Sequence, residues 1–134
     1  KGYPVWGISS AATSNGKQWL YGEYGVKVLS VRGYPDRKIV TPYVSFLALD
    51  CLPQDALKNI RRFLEFEIYG EYGFFDSLDL NRDQVNSQYL ALDQGMILIA
   101  IANYLKKGSI RERFHADPVG KNAEGLLGEE YLEA

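Results

Sequence analysis

Residues 96–105 read MILIAIANYL, a run apolar on nearly every side apart from Asn103. A helix of that pattern needs apolar neighbours all round, so it belongs inside a larger body. It is about half the length needed to span a bilayer, so a membrane helix is set aside. In a chain of 134 residues, at most one domain, few other helices exist to surround it. The chain also opens on KGYPVWG, without an initiator Met and already dense in motif-like residues. Natural termini are usually looser and more polar. Both features point to a sequence that starts in the middle of a longer protein.

Four helices are expected. TPYVSFLALDC at 41–51 offers Thr41 as N-cap and Pro42 at the first helical position. PQDALKNIRRFLEFEIYG follows, with Ala56, Leu57, Ile60, Phe63, Leu64 and Ile68 on one stripe and Gly70 as its stop. The third runs from Tyr89 to Lys107 and contains the apolar run. The fourth opens at Ser109-Ile110-Arg111-Glu112, a capping-box pattern, and continues to about Ala116. Asp117-Pro118 breaks it, and a last short turn is expected near 123–127. Residues 1–41 look irregular apart from a short alternating run, VKVLSV at 26–31, that fits a strand. Residues 70–87 read as a loop. The fold class expected is all-α with long loops.

The pentapeptide YGEYG occurs at 21–25 and again at 69–73. The flanks share no hydrophobic pattern, which argues against a duplicated module. Two loops that each want small and aromatic residues together is the better reading. Aromatics make up 13% of the chain and ten of them are Tyr, a residue with a flat apolar face and a hydroxyl that suits polar ligand grooves. The net charge of −2 gives no basic surface for nucleic acid. One Cys and one His exclude an internal disulfide and leave no zinc ligand set. Cys51, after an apolar stretch, reads as a buried free thiol. No cofactor is implied.

Three carboxylates stand out: Glu23, Asp76 and Asp93. Asp93 lies about one turn into the apolar helix, where an unpaired charge is costly and the helix dipole favours an anion. It reads either as a structural residue binding loop amides or as a carboxylate aimed into a sugar groove. Gln94 beside it can both donate to and accept from a hydroxyl pair. Asp76 follows Phe74-Phe75, where sugar C–H faces find rings and sugar hydroxyls find an acceptor; a turn aspartate is the competing reading. Glycoside hydrolysis commonly uses two carboxylates on opposite sides of one bond.

In order, the segments form a recognisable series. Trp6-Gly7-Ile8-Ser9-Ser10-Ala11 is similar to a W-G-x-S-A segment. Tyr24-Gly25 is similar to a Y-G-A-P loop, with Val26 in place of Ala and no Pro after it. Val40-Thr41-Pro42-Tyr43 is similar to an A-P-Y segment, with Thr41 for Ala. Tyr72-Gly73-Phe74-Phe75-Asp76-Ser77-Leu78 is similar to Y-G-F-x-D-A-F. Tyr89-Leu90-Ala91-Leu92-Asp93-Gln94-Gly95 is similar to Y-L-x-I-D-Q-G, and Asn103-Tyr104 to the N-Y after it. Together they resemble the glycoamylase-like family over residues 3 to about 116. Its relatives include bacterial β-1,2-glucan hydrolases and a domain of cyclic β-1,2-glucan synthases. The resemblance implies an (α/α)6 toroid, of which residues 1–134 would be the C-terminal portion. It also implies a glycoside hydrolase acting on a bacterial glucan in the periplasm or outside the cell.

On that resemblance Asp93 is catalytic or directly at the scissile bond and Asp76 is its nearest helper, with acid and base unassigned, and Trp6, Ser9, Tyr24, Tyr43, Tyr72 and Gln94 contact an oligo- or polysaccharide. Two other readings stand beside it. One is a sugar-binding domain without catalysis. The other is a structural piece that pairs with a missing N-terminal part or with a second copy, inactive by itself.

Overall fold

In a computed structural model, residues 4–14, 19–24 and 38–124 are described. The expected strand at 26–31 lies outside them. The chain opens with an antiparallel hairpin, β1 (Ser10–Ser14) and β2 (Trp19–Glu23), in the register Ala12↔Tyr21. β3 (Ile39–Val40) leads into helix α1 (Tyr43–Leu47) and a 3-10 turn at Ala48–Asp50. Helix α2 (Pro53–Phe63) follows, extended by a 3-10 turn at Leu64–Phe66. Two small hairpins come next: β4 (Tyr69–Gly70) with β5 (Gly73–Phe74), and β6 (Ser77–Asp79) with β7 (Gln84–Asn86). Helices α3 (Ala91–Leu105), α4 (Ser109–Ala116) and α5 (Pro118–Glu124) complete the described chain.

The all-α expectation is therefore wrong. The described residues form a mixed α/β structure with three small antiparallel sheets, ordered β1-β2, β3-β6-β7 and β4-β5. The two stretches read as irregular, 1–41 and 70–87, contain the described strands except for Tyr69, which opens β4 where the end of a helix was expected. Strands of two to five residues are too short to show a period-2 pattern, and Gly and Ser inside them look like turn residues. The two YGEYG copies also diverge. In the first, Tyr21-Gly22-Glu23 lies within β2, not in a loop. The second makes the β4–β5 hairpin, with Glu71 and Tyr72 at its tip and Gly73 at φ +108°, a backbone conformation that favours glycine.

The helices match the periodic signals more closely. Pro53 opens α2 at its first position. Ala56 and Phe63 bury as expected, but Leu57 and Leu64 are exposed and Asn59 is buried between the apolar positions. The amide of Asn59 acts like a short piece of strand. Its oxygen accepts from Trp6 N–H (3.0 Å), and its nitrogen donates to the Trp6 carbonyl (2.7 Å) and to Ser45 Oγ (2.8 Å). This pins the segment leading to β1 onto α2 and α1.

Two further expectations change. Ser109 does not cap α4; Asn103, from the last turn of α3, accepts from the Ile110 and Arg111 N–H groups at 3.0 and 3.2 Å, while Gly108 takes the left-handed turn. Cys51 is exposed, because it sits in the surface connection between α1 and α2. The main core gathers Phe46, Phe63, Ile68, Phe74, Leu78 and Ile97. α3 is not apolar-buried all round: Leu92, Leu98, Ile99 and Leu105 are exposed, whereas Asp93, Ile97 and Asn103 are buried.

Asn59→Ala strands the N–H and carbonyl of Trp6 together. It is expected to destabilise the fold by about 1–3 kcal/mol per group left unpaired. Chemical denaturation of the variant against the parent measures this.

Candidate functional site

Ala12, in the middle of β1, has both backbone groups engaged by the start of β6. Its N–H donates to Asp76 Oδ2 (2.5 Å), and its carbonyl accepts from Ser77 Oγ (2.5 Å). Asn86 Nδ2 from β7 donates to the same Ser77 hydroxyl at 2.8 Å. Two side chains thus stand where a neighbouring strand would pair, and the exposed-edge problem of β1 is solved locally. The backbone around Asp76 is itself tied down. Phe75 N–H donates to the Ile68 carbonyl (2.9 Å) and Asp76 N–H to the Gln88 carbonyl (2.8 Å).

Asp76 is 1% exposed and Asp93, in the first turn of α3, is 4% exposed. The two carboxyl groups lie close enough to share a hydrogen bond when one of them is protonated. Asp76 Oδ1 and Asp93 Oδ2 are also buried with no other partner. Two bare carboxylates would repel here, so a proton shared between them is what satisfies both. Burial pushes the Asp93 carboxyl up to about 7, helped by the hydrogen bond to Asp76 and by that neighbour's negative charge. Burial also raises Asp76, but the Ala12 N–H pulls it back.

Two tyrosines complete the cluster. Tyr43, at the start of α1, donates its hydroxyl to Ser9 Oγ at 2.5 Å. Its pKa is raised by burial, eased by the Ser9 bond and raised again by Asp93 and Asp76. Tyr21 on β2, directly opposite Ala12 in the register, is 54% exposed. Burial raises its pKa too, and the charges of Asp76 and Asp93 add to the effect. A ring open to solvent beside a buried carboxyl pair provides a face for a sugar and acceptors for its hydroxyls.

Of the residues picked out from sequence, Ser9, Tyr43, Asp76 and Asp93 come together. The side chains of the others are engaged elsewhere. Trp6 lines a shallow depression on the α2 side with Leu52, Asp55, Lys58 and Arg62. Tyr24 is 2% exposed and packs with Ala11 and Ile39. Tyr72 is 67% exposed at the β4–β5 tip, edge-on to Tyr89. Gln94 donates to the Phe74 carbonyl (2.7 Å), and its other amide atom lies where a Cβ on Gly73 would sit. It therefore braces the hairpin beside the carboxyl pair. Tyr21 was missed. It stands in the quoted repeat, and alternation along a strand would have flagged it had that stretch been read as one. Among the described residues no group of His, Cys, Asp and Glu is arranged to hold a metal ion, and no helix is long and apolar enough to cross a membrane.

Comparison with known proteins gives the family. The model of the Glycoamylase family, whose description is that of a glucoamylase, matches residues 1–118, and the chain belongs to that family. Cyclic β-(1,2)-glucan synthase NdvB of Rhizobium meliloti (strain 1021) is 38% identical over 136 residues, covering 92% of this chain and 5% of the synthase. A solved glucoamylase-type protein from Bacteroides fragilis NCTC 9343 superposes with a TM-score of 0.73 at 28% identity, over 96% of this chain and 29% of its own. An endo-β-1,2-glucanase from Chitinophaga pinensis, solved with sophorotriose and glucose, gives a TM-score of 0.67 at 22% identity, over 90% of this chain and 28% of its own. The last likeness speaks to the fold alone. The chain spans only a small part of the synthase and less than a third of these solved chains.

The raised carboxyls tie stability to pH. Asp93 has a folded pKa of about 7, against about 3.9 in an unfolded chain. The protonated form favours the fold, so this contribution is complete below about pH 4 and is lost as pH rises through about 7. Asp76 shifts in the same direction. Denaturation midpoints are expected to fall between pH 5 and pH 8. Asp93→Asn, neutral throughout, should flatten that slope.

Proposed function

We propose that this chain carries one of the two proton-transfer centres of a glycoside hydrolase acting on a β-1,2-glucan. The observation behind it is the buried Asp76–Asp93 pair with Tyr21, Tyr43 and Ser9 at its edge. Family membership supports a carbohydrate-active role, and the relative named for cyclic β-(1,2)-glucan supports the linkage. Asp93 is the residue assigned to the scissile bond. Asp76 holds it in place, Tyr21 stacks on a sugar ring, and Tyr43 with Ser9 meets sugar hydroxyls.

Asp76 and Asp93 are not the two opposed carboxylates of the reaction. Such groups stand about 5–9.5 Å apart, with the substrate between them, whereas these two share a hydrogen bond. They act as one unit on one side of the bond, and the opposing carboxylate comes from elsewhere in the folded enzyme. Asp93→Asn in the full-length protein is expected to cut β-1,2-glucan hydrolysis by about 10²–10⁴-fold, read as reducing ends released. Unchanged turnover would remove Asp93 from the chemistry. Tyr21→Ala should mainly raise KM, because a stacking face is present in the ground state as well as in the transition state.

The exposed apolar residues of α3 favour a second reading, that this chain works only when covered by another segment of protein. On that reading the isolated chain binds glucan by calorimetry and releases no reducing ends.

A further inference from the structure

The two carboxyls of the pair are not equivalent. Asp76 Oδ2 accepts the Ala12 N–H, a donor that stabilises a carboxylate. The Ser77 hydroxyl beside it commits its one proton to the Ala12 carbonyl. Asp93 has no comparable backbone donor among the described residues, and its Oδ2 is buried with no hydrogen-bond partner. The helix dipole of α3 favours an anion at Asp93, but burial and the neighbouring carboxylate oppose it. Among the described residues, the other titratable groups acting on the pair from packed elements are the hydroxyls of Tyr21 on β2 and Tyr43 on α1, both uncharged near neutrality.

We propose that Asp76 is a positioning residue that keeps the pair's single proton on Asp93, so that Asp93 enters the reaction as the proton donor. This rests on the glycosidic reading above. In the step, the proton of Asp93 passes to the glycosidic oxygen as the C1–O bond breaks, and the departing sugar leaves as an alcohol. Water adds at C1, its proton goes to the opposing carboxylate, and Asp93 is reprotonated from solvent. Asp76 stays ionised throughout, held by Ala12.

The substitution that tests this is Asp76→Asn. The Ala12 N–H needs an acceptor, so the asparagine must turn its oxygen to Ala12 and its NH₂ to Asp93. The hydrogen bond between positions 76 and 93 then reverses direction and favours the Asp93 carboxylate.

The readout independent of activity is the carboxyl titration of Asp93 in the full-length protein, followed by carbon-13 NMR. The parent should titrate near neutrality, and Asp76→Asn should lower the midpoint by about two pH units. An ordinary carboxylate midpoint in the parent, or one unmoved by Asp76→Asn, overturns the proposal. If Asp76→Asn does not fold, Asp93→Asn serves: with the proton-bearing partner gone, the near-neutral carboxyl titration should disappear, leaving Asp76 ionised by its Ala12 N–H donor. A near-neutral titration that survives at Asp76 overturns the proposal.

The activity readout is the pH profile of β-1,2-glucan turnover. It should fall as pH rises through about 7, and the falling limb should move lower in Asp76→Asn. A profile that rises through that range makes Asp93 a base and overturns its role as donor. If the titration behaves as expected but no glucan is cleaved, the shared proton stands and the glycosidic reading is what has failed.

Discussion

The contact between the Ala12 backbone and the Asp76–Ser77 side chains is the constraint on which the site depends. A buried peptide group without partners is costly, and so is a buried carboxylate. Each relieves the other here: the Ala12 N–H finds an acceptor, and Asp76 finds the donor that makes its charge tolerable. Ser77 closes the arrangement at the carbonyl, and Asn86 holds Ser77 from β7. A hydrogen bond to a charged group contributes about 1.5–3 kcal/mol. The same contact sets β1–β2 against β6, so Tyr21, opposite Ala12, comes to the edge of the carboxyl pair.

Helix α3 brings the other carboxyl. Its pattern is inverted relative to an ordinary surface helix, with Asp93 and Asn103 turned inward and Leu92, Leu98, Ile99 and Leu105 outward. Each inward polar residue has a task. Asn103 supplies the acceptor that starts α4, and Asp93 meets Asp76. Buried polar groups persist where they are hydrogen-bonded, and a carboxyl pair persists when it holds a proton. The inward polarity of α3 is therefore a feature of the site, whereas Ile97 on the same helix belongs to the core.

Glycine has a steric role around these elements. A side chain at Gly7 would reach the Thr41 carbonyl at 2.7 Å, and one at Gly73 would displace the Gln94 amide. Gly7 brings the chain close enough for Thr41 N–H to donate to its carbonyl at 2.8 Å, which sets the entry to α1 and hence Tyr43. Gly73 lets Gln94 brace the β4–β5 hairpin against α3. Two residues that read as loop punctuation are close-approach points that position the site.

The family resemblance was legible in sequence because it rests on local segments in order. So were α2 and α3, whose apolar residues repeat within one or two turns, and Asp76 and Asp93, which stand out as carboxylates among apolar neighbours. The sheets, the role of Asn59 and the place of Tyr21 were not legible. Strands of two to five residues carry no period of their own, and a polar residue on an apolar stripe looks like an interruption until its partner is known. Ala12 meets Asp76 across 64 residues and Ser77 across 65. By itself the sequence determined where the main helices form and singled out Asp76 and Asp93 as carboxylates among apolar residues, since helical periodicity and composition act over a few residues. Only the tertiary structure decided that the two aspartates are buried beside each other, with Tyr21 and Tyr43 within their electrostatic reach, because pairing of buried polar groups is settled by which distant segments are packed together.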